Sequence, residues 1–169
     1  KERLNQNPED IRLPLETASA AHYLLTCPDM HPFDGGNGRT ARALINAILM
    51  SQSYELTAYG LAIPPVPILR TNPDDGKYIR ALRAVGASRA LNPFMIFLAQ
   101  KWIASLDDRL EKFRQIIKVP KVEGDRKLID KLENRARLLK EFIKSGPPEN
   151  QHPKIGNNYK IFPIPNYLE

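Results

Sequence analysis

The chain contains a single cysteine, Cys27, so it cannot form an internal disulfide, which fits a reducing compartment or indifference to redox state. Histidine is nearly as scarce: His22, His31 and His152 are scattered, and with one cysteine they cannot build a Cys/His metal cluster. No stretch approaches the roughly twenty apolar residues that span a bilayer, since segments such as "FMIFLAQKW" run into charge. The expectation is a soluble, cytoplasmic protein with no membrane partner, with delivery into a host cell left open. There is no initiator methionine and no apolar leader before Lys1, so the expectation is a portion of something longer. Internal repeats and an alternating β pattern are also missing, which points away from solenoid and all-β architectures.

What is present is an ordinary globular composition. With 169 residues, 42% of them hydrophobic, the chain can bury one real core, and two full domains are not expected. The net charge of +6 invites a nucleic-acid reading, so its distribution matters. Residues 101–144 carry +5 of it, but acids and bases alternate there ("DDRLEKFR", "DRKLIDKLENRARLLKE"), the pattern of a solvated helix face laced with i,i+4 pairs. Nucleic acid is therefore not an expected partner.

Helical spacing dominates. "PLETASAAHYLL", from Pro14 to Leu25, combines a first-turn proline with apolar residues at helical intervals. "RTARALINAILMSQ" places Ala41, Leu44, Ile45, Ile48 and Leu49 on one face. "DDGKYIRALRAVG" predicts a short helix ended by Gly86, and Asn92 offers a cap for a long helix reaching about Lys118. After a break at Pro120 and Gly124, Asp125 is expected to cap a helix to about Lys144. The proline-rich stretches around residues 61–75 and 145–169 read as irregular connection and tail. The sum is an all-α domain.

Between the first two helices lies "HPFDGGNGRTAR", residues 31–42. Three glycines at a helix start free the backbone to turn sharply and expose its N–H groups, and the helix dipole adds to the pull on an anion. Asn37 offers a side-chain donor at the rim. Arg39 and Arg42, three residues apart, offer two guanidinium groups for further phosphate oxygens, which suits a polyphosphate. His31, just before the turn, belongs to the residue type that exchanges protons near neutrality, as a general base must. A base beside a phosphate cradle suggests phosphoryl or nucleotidyl transfer to a hydroxyl.

This segment resembles the motif of the Fic family, His-Pro-Phe, any residue, Asp or Glu, then Gly-Asn-Gly-Arg and often a second arginine three residues on. His31, Pro32, Phe33, Gly36, Asn37, Gly38, Arg39 and Arg42 match in register. "DGKYIRALRAVG" and "LNPFMIFLAQKW" are similar to the family's next segment, so the resemblance runs over roughly residues 10–117. It implies a Fic-like helical bundle with the motif loop between two core helices, residues 1–118 forming the core and 119–169 a helical extension and proline-rich tail. It also implies transfer of AMP from Mg²⁺-bound ATP to a Ser, Thr or Tyr hydroxyl of a target protein. His31 would be the base, Gly36, Asn37 and Gly38 would hold the α-phosphate, and Arg39 and Arg42 the departing pyrophosphate. Phe33 would anchor in the core. Gly38 stands where the family's phosphotransferase branch has a lysine, which favours nucleotidyl transfer.

One position departs from the pattern. The family's metal-holding acid falls at Gly35, and the nearest carboxylate is Asp34, one residue earlier. Mg²⁺ keeps several waters and often takes one or two protein carboxylates, so Asp34 is the candidate metal ligand. The alternative is a catalytically impaired module that binds nucleotide or protein through the same cradle. Another donor, such as one supplying UMP or phosphocholine, also stays open. The family's target-clamping hairpin has no counterpart in the thirty residues before His31. "SGPPEN", residues 145–150, carries the letters of the family's inhibitory helix, yet Pro147 and Pro148 oppose a helix there, so restraint by Glu149 is not expected.

Overall fold

A computed structural model describes residues 11–26, 31–51, 75–116 and 123–146. The expected irregular connection and most of the tail, with Cys27, His152 and Glu149, lie outside the described residues. Among these residues there are five helices and no strand, the expected all-α class. They are α1 (Arg12–Thr26), α2 (Asn37–Ser51), α3 (Asp75–Ser88), α4 (Asn92–Ile116) and α5 (Glu123–Ser145). None is long and apolar enough to cross a membrane.

The apolar spacing of each helix sets its packing. α1 buries Pro14, Leu15, Ala18, Ser19 and His22 on one stripe, and α2 meets it with Ala41, Ile45 and Leu49. α4 is the central support: Phe94, Met95, Leu98, Trp102 and Leu106 are almost completely buried, with α1, α3 and α5 all packed against it. Leu128, Leu132 and Leu139 of α5 join the same core as Leu15 and Ile45. Burial of side chains this size stabilises the fold by roughly 1.5–3 kcal/mol each before entropy is counted.

The ends of the helices differ from expectation in instructive ways. Gly86 does not stop α3, which continues to Ser88, where the Ser88 hydroxyl donates to Ala84 O at 2.7 Å and Arg89 turns into the left-handed region at φ 54°. Asn92 does not cap α4 with its side chain. The Leu91 carbonyl accepts from Phe94 and Met95 N–H, both at 3.0 Å, while Asn92 Oδ1 is buried and takes neither of these N–H groups. Similarly α5 begins at Glu123 and includes Gly124 and Asp125 in its first turn, where helical N–H groups are free in any case. On α2, Leu44 is 38% exposed and does not share the core face.

The alternating charges between Lys101 and Lys144 form mixed-sign pairs as expected. Arg114 reaches Glu133 and Lys140 faces Asp107 across α4 and α5, while Lys112–Asp108 and Arg137–Glu141 are i,i+4 pairs within one helix. All are about half exposed, so each contributes little to stability, about 0–1 kcal/mol.

Candidate functional site

Residues 31–36 lead into α2 as an exposed bend, and the local cause of its shape is the pair Gly36 and Asn37. Gly36 takes φ +87°, a region that strains any residue with a Cβ. Asn37, the first residue of α2, is 7% exposed and turns its carboxamide back on the loop. Its Nδ2 donates to Phe33 O at 2.7 Å, and its Oδ1 accepts from Phe33 N–H at 3.2 Å. The side chain expected at the rim is thus committed to shaping the turn, and what Asn37 offers outward is its backbone N–H.

The first hydrogen bond of α2 beyond the turn runs from Thr40 N–H to Gly36 O, at 2.9 Å. The N–H groups of Asn37, Gly38 and Arg39 precede it, where a helix has no internal acceptors to offer. Both arginines are drawn to these glycines. A Cβ placed on Gly36 would stand 3.5 Å from Nη2 of Arg39, and one on Gly38 would stand 3.3 Å from Nη1 of Arg42. Two guanidinium groups therefore flank the open end of α2, and the missing side chains at residues 36 and 38 leave the room they occupy.

His31 and Asp34 are exposed on the same short segment. Gly35 differs from both glycine neighbours in the motif in that a Cβ there would meet nothing within 4 Å, and from Gly36 in that its φ is not left-handed. Neither space nor backbone conformation demands glycine at this position. Phe33 is 49% exposed, so it is not the core anchor that the family resemblance implied; the loop is held by the Phe33 backbone instead.

Behind the loop the structure adds a residue that sequence reasoning passed over. His22 is fully buried, with the Tyr78 hydroxyl 3.1 Å from its Nε2 and the Phe94 ring at 4.6 Å between centroids. Burial, reinforced by the positive charge of Arg42, pushes its imidazole down to about 3. Its place on the Leu15, Ala18, Ser19 stripe was the available signal. Among the described residues no cluster of three or more His, Cys, Asp or Glu stands ready for a metal. The one exposed carboxylate of the loop, Asp34, beside the open space at Gly35, fits an ion held chiefly by phosphate oxygens and water.

Residues 2–49 match the model of the Fic/DOC family. The chain is 49% identical over 51 residues to a protein named protein adenylyltransferase Fic from Nematostella vectensis, covering 30% of this chain and 11% of that protein. It is 35% identical over 104 residues to the protein of the same name from Culex quinquefasciatus, and 34% over 104 residues to that from Drosophila melanogaster. Each of the latter two matches covers 62% of this chain and 18% of the relative, so the chain spans less than a fifth of their length. No solved structure matches. Residues 2–49, which include the motif loop and most of α2, are thus similar to a Fic domain.

Proposed function

We propose that this Fic-like region belongs to the catalytic core of a protein adenylyltransferase, moving AMP from ATP to a Ser, Thr or Tyr hydroxyl of a target protein. The observation that carries the reading is the arrangement at the start of α2, where N–H groups free of internal bonds lie between two guanidinium groups at Gly36 and Gly38. Hydrogen-bond donors and positive charge converge where a polyphosphate would bring its negative charge. The names of the relatives support AMP as the transferred group.

In this reading His31 takes the proton of the incoming hydroxyl, whose oxygen then bonds to the α-phosphorus. The N–H groups of residues 37–39 stabilise the charge gathering on the α-phosphate oxygens. As the bond to the β-phosphate oxygen breaks, Arg39 and Arg42 hold the departing pyrophosphate with its added negative charge. Asp34 would hold Mg²⁺, which when bound neutralises phosphate charge and orients the leaving group.

A second reading has an observation of its own. Gly35 occupies the place of the acid in the motif, and its surroundings would accept a side chain, so the carboxylate there has been given up without a steric reason. A domain with a weakened metal site would bind nucleotide or a partner protein and transfer slowly. The two readings are separated by transfer of label from α-labelled ATP to protein, with the full-length protein in lysate and Mg²⁺ added. Label that disappears in His31→Ala and in Asp34→Ala supports the transferase with Asp34 as metal ligand. Absence of label in the parent together with its appearance in Gly35→Asp sinks that reading in favour of the binding module.

A further inference from the structure

Residues 76–106 cover nearly all of α3 and the first part of α4, and they contain Lys77, Arg80, Arg83, Arg89 and Lys101 with not one aspartate or glutamate. By contrast, α4 beyond Leu106 and α5 mix acids with bases, which pair along and between the helices. Helical geometry decides where the unmixed charge goes. Tyr78, Ala81, Leu82 and Val85 turn into the core, so Arg80 and Arg83, one turn apart, stand on the opposite side of α3 with Lys77 at its edge. All three are exposed. Arg80 leans back over Gly76, where an added Cβ would stand 3.5 Å from its Nη1. Guanidinium groups thus rise among small residues, with Ala84 and Ala87 completing the set, and these leave room for a second chain.

Arg89 extends the line just beyond α3. It is exposed and takes φ 54°, the only positive φ outside glycine among the described residues. Glycine adopts this conformation without strain and arginine does not, so the charge at residue 89 stands there against the backbone preference. At the other end, Lys101 of α4 lies 5.9 Å from the Phe97 ring, which is itself 6.0 Å from the ring of Tyr78, beside Lys77.

A face of one sign calls for a polyanion. Single-stranded nucleic acid is held by rings on which its bases stack, and the aromatic residues between 76 and 106, namely Tyr78, Phe94, Phe97 and Trp102, are all buried. Carboxylates suit the face better. Lys77 to Arg83 spans about 9 Å at 1.5 Å per residue, while acids at alternate positions of an extended chain point to one side about 7 Å apart, and a guanidinium takes a carboxylate through two parallel hydrogen bonds. We propose that the outward face of α3, ending in Arg89, is a docking surface for an acidic segment of a partner protein. It stands independently of the transfer chemistry at the start of α2.

Fluorescence anisotropy of a labelled glutamate peptide of about eight residues, titrated with the full-length protein at about 0.05 M salt where screening is weak, tests this. The parent is expected to bind, and to bind less as salt rises. Arg80→Glu combined with Arg83→Glu is expected to weaken binding about tenfold, the loss of two surface ion pairs near the upper end of their usual strength. Lys112→Glu combined with Lys140→Glu changes the net charge equally on the mixed face of α4 and α5, and should weaken binding less than about twofold. No binding by the parent overturns the proposal. Equal loss in the two double variants also overturns it, because only attraction between net charges then remains. A single-stranded oligonucleotide of the same charge that binds more tightly than the peptide, and weakens in the Arg80 and Arg83 variant, assigns the face to nucleic acid instead. Thermal unfolding is recorded for each protein. Should charge reversal prevent folding, Arg80→Gln with Arg83→Gln is compared with Lys112→Gln and Lys140→Gln by the same criteria, about threefold weakening being expected of the first pair and none of the second.

Discussion

The Tyr78 hydroxyl and His22 Nε2 are 3.1 Å apart across 56 positions of chain, joining α3 to α1 inside the core. The groups around this imidazole are the Arg42 cation on α2, the neutral Tyr78 phenol on α3 and the apolar Phe94 on α4. Burial, with the charge of Arg42 added, disfavours a second positive charge there, so the ring is held neutral at ordinary pH.

The sign of the resulting pH dependence follows. His22 titrates near 6.5 when unfolded and about 3 when folded, so the unfolded chain binds the extra proton between those values. The contribution is fully present above pH 6.5 and is lost as pH falls toward 3. We expect His22→Phe to flatten the acid limb of stability against pH by an amount on the order of 1 kcal/mol per pH unit. Denaturant unfolding of both proteins at several pH values checks this, and parallel acid limbs would count against it.

The three glycines of the loop should respond unequally. Gly36→Ala forces a Cβ into φ +87° and is expected to cost about 1 kcal/mol or more. Gly35→Asp meets no atom within 4 Å and should leave the unfolding temperature close to that of the parent. Thermal unfolding of the two variants side by side decides it, and a larger loss from Gly35→Asp would contradict the geometry.

Asn37→Ala removes both bonds to the Phe33 backbone. The expected loss is about 1–3 kcal/mol of stability, accompanied by weaker pyrophosphate binding as the turn loosens. A variant with parental stability and affinity would show that the carboxamide does not set the turn.

Aromatic residues offer a direct contrast of burial. Trp102, 1% exposed on the central helix, should cost about 3–5 kcal/mol when replaced by alanine. Phe33→Ala should change stability by no more than about 0.5 kcal/mol, since its ring is half in solvent. A large destabilisation at Phe33 would restore the core-anchor expectation that the structure opposes.

Five helices were legible because their apolar residues recur at the helical period, and that signal survives any uncertainty about their ends. Leu15 with Ala18, or Ile45 with Leu49, announces a buried stripe without knowledge of its partner helix. The ends were less legible because they are decided by single hydrogen bonds: Ser88 holding Ala84 O lets α3 run past Gly86, and the Leu91 carbonyl takes the role assigned to Asn92. The loop motif could be located, but its internal division of labour could not. Asparagine reads equally as ligand or as turn former until Phe33 is seen against it, and phenylalanine in a loop held by its backbone has no need to be buried. His22 was visible only as an isolated histidine because its partners, Tyr78 and Phe94, lie far along the chain.

Asn37 grips both backbone groups of Phe33, and so it acts as a ruler. Three residues, Asp34, Gly35 and Gly36, fit between the two ends of that grip, and an inserted or deleted residue would pull the amide and carbonyl of Phe33 out of reach together. Side chains at residues 34 and 35 are outside the measurement, since they touch neither end of it. The loop is therefore tolerant of substitution and intolerant of a change in length, and a carboxylate can move by one position along it while the helix start, with both arginines, stays where it was.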